Sequence, residues 1–217
     1  MDDQPDRSQL AAVLARVAAG DFPAADGGVT VLPAPSPRDS GVLGFTAHAV
    51  VFADADPAWV SAQLPAGDLA APLSPAFLQA LCQHTGREMH TIDMLCTAAT
   101  RPGPPPLAVT AEPDRSHPRI ARATRYRDDV QAWRADGGVV LLGRGVAGRW
   151  EASVEVDADR RGYGLGRTLA TAARHLAPPG APLWAQISPA NAASVRAFLA
   201  AGFTPVGAEA HLIPPSL

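Results

Sequence analysis

The strand-like run WEASVEV is followed by DADRRGYGLGRTLATAARHL, in which Gly162, Gly164 and Gly166 fall within five residues at the mouth of a helix-like run. This feature constrains the chain more than any other. A helix start leaves its first N–H groups without partners, and its dipole favours negative charge. Thinning the side chains there lets an anion such as a diphosphate reach the backbone. Arg161 and Arg167 flank the turn and add charge-assisted donors. The competing reading is a tight strand–helix turn with no ligand. A Walker loop needs G-x-x-x-x-G-K-[ST], and all 18 basic residues of this chain are arginine, so that grammar is excluded. A dinucleotide fingerprint needs G-x-G-x-x-G; here the pattern is G-x-G-x-G followed by Arg167, with no acidic residue ending a strand about 20 residues on.

The rest of the chain reads as elements around that turn. Residues 1–20 are expected to hold a short helix, with Leu10, Val13, Leu14 and Val17 at helical spacing. VTVLPAP reads as a short strand interrupted by prolines, and Gly41 to Ala53 as strand-like. Two helices share one starting grammar: Asp56 before Pro57, and Ser74 before Pro75, the second stopped by Gly86. TIDMLCTAAT reads as a strand. RPGPPP, 101–106, cannot continue a sheet, so it and AEPDRSHP are expected to form a lobe boundary or a long surface loop. RIARATRYRDDVQAWRAD reads as a long strand or bent strand pair, and GGVVLLGRGVAGRWEASVEV as two strands. After the glycine turn a helix runs to about Leu176, APLWAQIS is a strand, NAASVRAFLAAGF is a helix stopped by Gly202, and TPVGAEAHLIP is one or two strands.

The segment VEVDADRRGYGLGRTL resembles the acetyl-CoA motif of the GNAT acyltransferase superfamily, Q/R-x-x-G-x-G/A, with Arg161, Gly164 and Gly166 at its fixed positions. A second block of that family, a strand, an Asn and a helix ending in GF, is matched by LWAQISPANAASVRAFLAAGF, with Asn191, Gly202 and Phe203 in place. The resemblance covers about Pro118 to Leu212. It implies an α/β (α+β) fold with a mixed, mostly antiparallel central sheet flanked by helices, and a splayed parallel strand pair at the cofactor site. Acetyl-CoA is then the acyl donor, transferred directly to an amine of a small-molecule or peptide acceptor. The resemblance puts the pyrophosphate on Arg161, Gly162, Gly164, Leu165, Gly166 and Arg167. The pantetheine arm pairs like an added strand beside Val154 and Val156, with Leu183–Ser188 as the second strand of the splay. Asn191 lies near the arm and Ser194 beside it. The chain is expected to divide into a lobe at 1–110, either an acceptor-side cover or a degenerate half, and a GNAT-like core at 118–217. The lobe has no glycine turn of its own, so one cofactor site per chain is expected.

Acyl transfer to an amine needs a base, an oxyanion donor and a fate for the leaving thiolate. The resemblance implies a backbone N–H between Val154 and Val156 as the oxyanion donor. Strand alternation puts Glu151, Ser153 and Glu155 on one side, opposite Trp150, Ala152, Val154 and Val156. That polar side is either a solvated face or part of the acceptor cleft; in the second case Glu151, ahead of Glu155, is the candidate base. The family often carries a Tyr seven residues after the Asn, and here that position is Phe198. Tyr163 is expected to face outward and Tyr126 to lie on a strand. With no proton donor at 198, a non-catalytic acyl-CoA-binding module is the first alternative. An interaction protein keeping only the fold is the second.

Two cysteines, Cys82 and Cys96, make no disulfide framework, which favours a reducing, cytoplasmic setting. Cys82, His84, His90 and Cys96 match no zinc spacing, so no metal is expected. His48, Glu209 and His211 are expected to be structural strand residues, with a place near the acceptor as the other option. A net charge of −3 without a basic stripe argues against nucleic acid, no apolar run approaches a membrane span, and homodimerisation is left open. The absence of lysine reads as compositional bias; the chain therefore has no lysine side chain of its own to acylate.

Overall fold

The structure, a computed structural model, describes residues 7–112, 114 and 116–215. The chain forms two compact units, one of residues 1–94 with 206–217 and the other of residues 95–205. It passes from the first to the second within one strand and returns within another.

The first unit opens with helix α1 (Arg7–Ala18), whose buried stripe is Leu10, Leu14 and Val17. The expected helix over 1–20 holds for the described part; residues 1–6 lie outside the described residues. Strand β1 (Val29–Leu32) follows, then β2 (Ser40–Phe45) and β3 (His48–Phe52). The segment Gly41–Ala53 is thus a hairpin rather than a single strand. Ala47, at φ +50°, makes the tight turn, which no glycine or proline announced. Helix α2 (Pro57–Gln63) starts as its sequence requires: the Asp56 carboxylate accepts from the N–H groups of Ala58 and Trp59. Helix α3 (Pro75–Thr85) is capped by the Ser74 hydroxyl and stopped by left-handed Gly86. Strand β4 (Glu88–Ala98) then leads into the second unit.

There β5 (Thr110–Ala111) precedes helix α4 (Pro118–Tyr126), followed by β6 (Asp128–Ala135), β7 (Gly138–Arg144), β8 (Trp150–Val156), helix α5 (Leu165–Leu176), β9 (Leu183–Ile187) and helix α6 (Ala192–Ala200). Strand β10 (Thr204–Ile213) returns to the first unit.

Helix α4 corrects the expectation of a long strand or bent strand pair over RIARATRYRDDVQAWRAD, of which only the second half, β6, is a strand. The His117 side chain accepts from the Arg119 N–H, Pro118 sits at the first helical position, and Ile120 and Ala123 are buried three residues apart. The cap-then-proline start is the same local signal as at Asp56–Pro57 and Ser74–Pro75, with His117 in place of the Asp or Ser. Tyr126 accordingly ends a helix, with the Arg122 guanidinium 5.2 Å from its ring centroid.

Both units are mixed α/β structures built on mostly antiparallel strands flanked by helices. In the first, β2 pairs antiparallel with β3 and with β10, and β1 pairs parallel with β3. Val42, Val51, Ala210 and Leu212 form a core with Val60, Phe77, Leu78 and Leu81 of the helices. In the second, β5–β6, β6–β7 and β7–β8 are antiparallel, and β8–β9 is parallel. Ile120 and Ala123 pack on Val139 and Leu141 of β7. The RPGPPP segment is exposed and tied to the end of α5: the Arg101 N–H donates to the Arg174 carbonyl, and the His175 ring is 3.1 Å from the Pro102 carbonyl.

Among the described residues no helix is long and apolar enough to cross a membrane. None of them forms a group of three or more His, Cys, Asp or Glu able to hold a metal ion.

Candidate functional site

The site grows from β8. Its register with β7 is unbroken from Trp150 to Val156, so side chains alternate strictly. The Asp157 N–H donates to the Gly137 carbonyl, which shows that odd-numbered residues turn their backbone groups toward β7. Trp150, Ala152, Val154 and Val156 therefore present theirs to the opposite edge. On that edge β9 pairs at Trp150↔Leu183 and Glu151↔Trp184, and both strands run on past this pairing. The backbone edge at Val154 and Val156 lies in the part where the two strands separate. Its carbonyls accept from side chains: Val154 from Arg119 Nη2 at 3.2 Å, and Val156 from Arg161 Nε at 3.2 Å.

The glycine turn closes this open end. Gly162 and Gly164 have φ of +85° and +84°, which favours glycine at both, and a Cβ at either would meet nothing within 4 Å. The turn is therefore both left-handed and open. Gly164 caps α5 without any side-chain hydrogen bond, so the helix presents its first N–H groups, from Leu165 and Gly166, beside exposed Arg161 and Arg167. Gly166 is different: a Cβ there would sit 3.5 Å from Ala197 Cβ and 3.7 Å from Val156 Cγ2, an ordinary contact between α5, α6 and β8. Asn191 caps α6, its side-chain oxygen accepting from the Ser194 N–H at 3.1 Å, and the residue is exposed. Tyr163 is 86% exposed, as expected.

Helices cover opposite faces of this sheet. Cross-strand partners share a face, so Glu151, Ser153 and Glu155 lie with Gly143, Leu141 and Val139, on the side where α4 packs. Leu169 of α5 reaches the Gly138 side of the sheet. The grouping of Glu151, Ser153 and Glu155 on one side follows the expected alternation. A solvated face does not hold for Glu151. That residue is 2% exposed, and its two oxygens accept from Arg127 Nε and Arg149 Nε, both at 2.8 Å. Arg127 Nη1 also donates to Ser153 Oγ at 3.1 Å, and the Arg149 guanidinium lies 5.4 Å from the Trp184 ring centroid. Gly145 must be glycine for this node to exist, because a Cβ there would run into the Glu151 carboxylate. Glu155 is partly exposed, and no guanidinium bonds it among the described residues.

Sequence reasoning missed Arg119, Arg127 and Arg149. The first two were hidden by reading α4 as a strand; the cap-and-proline start at His117–Pro118 was the available signal. Phe198 is buried edge-on against Phe203, with ring centroids 4.9 Å apart. Cys96 is buried, and desolvation pushes its thiol up to about 11; burial, with Glu88 nearby, also raises Cys82. His84 stacks on Trp59 with ring centroids 3.9 Å apart. In the first unit His48 sits between Asp26 (2.8 Å) and Thr30 (3.0 Å), Glu209 is buried, and His211 Nε2 lies 3.1 Å from the Asp39 carboxylate.

No protein-family model matches the chain, and no curated protein matches it. Solved structures do. One is described as a GCN5-related N-acetyltransferase from Kribbella flavida, 17% identical, with a TM-score of 0.41 over 64% of this chain and 63% of that one. Another is an acetyltransferase assigned to the GNAT family from Novosphingobium aromaticivorans DSM 12444, 18% identical, with a TM-score of 0.39 over 58% of this chain and 66% of that one. The matched part is less than two thirds of either structure's length. A likeness this distant adds nothing to the site, whose reading rests on the chain's own geometry.

Proposed function

We propose that the second unit is an acyltransferase domain that moves an acyl group, acetyl in the simplest case, from a coenzyme A thioester to an amine. One observation carries the reading: a parallel strand pair that separates, leaving the Val154 and Val156 N–H groups turned to an edge that β9 does not cover, and a left-handed, uncapped glycine turn at the start of α5. The pantetheine arm would add to that edge as an extra strand. The diphosphate would meet the first N–H groups of α5 with Arg161 and Arg167 alongside, and the Asn191 amide would donate to the arm.

The Val154 N–H, turned to the open edge, would then serve the developing oxyanion. Glu155 is the better base of the two carboxylates. Glu151 has both oxygens committed to guanidiniums and acts as a positioning residue, whereas Glu155 keeps free lone pairs. Glu155, directly or through a water, takes a proton from the amine. The nitrogen attacks the thioester carbonyl, the C–S bond breaks, and coenzyme A leaves as a thiolate. A thiol pKa of about 8.5 makes unassisted departure feasible.

A second reading, an acyl-CoA-binding module without catalysis, is favoured by Phe198, a buried core residue with no proton to give. Calorimetric titration with acetyl-CoA and CoA, followed by mass-spectrometric detection of acylated amines, separates the two. Micromolar binding with turnover supports the transferase. Binding without turnover across a broad amine panel supports the module, and no binding to a folded sample rejects both.

A further inference from the structure

On the face of β8 that α4 covers, three guanidiniums meet two carboxylates. Arg127 and Arg149 share Glu151. Arg119, in the first turn of α4, donates from Nη2 to the Val154 carbonyl, while its Nε is buried and has no partner among the described residues. Glu155 acts on Arg119 through space without bonding it. Burial pushes the Arg119 guanidinium below its ordinary value; Glu155 opposes that shift, and Arg127 and Arg122 add to it. Arg122 is exposed over Tyr126. Arg119, Arg127 and Arg149 against Glu151 and Glu155 leave one positive charge in excess before the exposed Arg122 is counted, and the least satisfied of these cations reaches the Val154 edge.

An unmet buried donor is costly, and a charged one more so. A substrate anion would supply what the fold does not. A guanidinium is a poor proton donor and a good carboxylate partner. Resting on the acyl-transfer reading, we infer that Arg119 is a specificity residue that receives a carboxylate carried by one of the two reacting substrates: an amine with a neighbouring carboxylate, as in an amino acid, or an acyl group that ends in one.

The test uses the purified full chain, first titrated with CoA. Failure to bind CoA sinks the acyl-transfer reading and this inference with it. In one arm, acetyl transfer to alanine is compared with transfer to alaninamide. In the other, the affinity for succinyl-CoA is compared with that for butyryl-CoA. The expected result is at least a tenfold preference for the carboxylate member in one arm, and that arm identifies the source. Arg119→Met should bring the preference within threefold, read as the ratio of the two members of the arm so that a change in CoA affinity common to both drops out, and Arg119→Lys should restore part of it, which separates lost recognition from lost folding. A protein that binds CoA yet shows no tenfold preference in either arm, through equal values or through absent turnover, overturns the inference. So does a preference that survives Arg119→Met.

Discussion

The two ends of β8 solve opposite problems with the same residue types. At its start Glu151 is closed off, with both oxygens on arginines and Gly145 shaped to admit them. At its end Arg161 and Arg167 stand exposed around glycines whose absent side chains leave open space. Arginine beside a carboxylate makes a structural node at one end, and arginine beside bare backbone makes the place proposed for an anion at the other. What separates them is whether the positive charge is already answered within the chain. Arg127 and Arg149 are answered by Glu151 where they are largely buried, whereas the exposed Arg161 and Arg167 can wait for a ligand.

The largest effect should come from breaking the closed end. Glu151→Ala leaves Arg127 and Arg149 without their shared carboxylate and should cost about 3–5 kcal/mol. In a thermal melt this reads as a fall in Tm on the order of 10 °C. A loss under 1 kcal/mol would mean that solvent already screens the pair. The open end should respond in binding instead. Gly164→Glu puts negative charge and a strained left-handed residue at the proposed anion site. CoA affinity should drop at least ~100-fold, about 2.7 kcal/mol, while circular dichroism stays native; unchanged affinity in the folded variant would remove the turn from the site.

A buried carboxylate in the first unit sharpens the closed case. Asp39 is 1% exposed. Burial raises its carboxyl, but hydrogen bonds and charge from His211 and Arg38 outweigh that and bring it down to about 2. Its contribution is complete above the unfolded value of about 3.9 and is lost as pH falls toward about 2, amounting to about 2 kcal/mol. Urea melts between pH 5 and pH 2 should show a steeper loss for the wild type than for Asp39→Asn; parallel curves would refute the assignment. The smallest effect is expected at Gly166→Ala. The added methyl meets only ordinary contacts, helix propensity favours it by about 1 kcal/mol, and CoA affinity should stay within threefold. A large loss there would show that the first turn of α5 tolerates less than its geometry suggests.

Much of this was legible along the chain. The caps at Asp56–Pro57 and Ser74–Pro75, the stop at Gly86, the strands around the glycine turn and the alternation of β8 all appear where their local chemistry puts them. The misses have local causes too. His117 is an unusual cap, so α4 passed for a strand. The hairpin at Ala47 turns on an alanine at positive φ, a conformation that composition does not advertise. Among the site residues, alternation grouped Glu151 with Glu155 but could not rank them.

The sequence by itself determined the glycine turn, its flanking arginines and the start of α5, because positive φ and unpaired helix N–H groups depend on residues a few positions apart. Only the tertiary structure decided which of two similar glutamates is free. Glu151 is claimed by Arg149, two residues away, and by Arg127, 24 residues away on the end of another element. A carboxylate's chemistry is set by the charges that reach it through space, and strand periodicity records which face a side chain takes but not what comes to cover it.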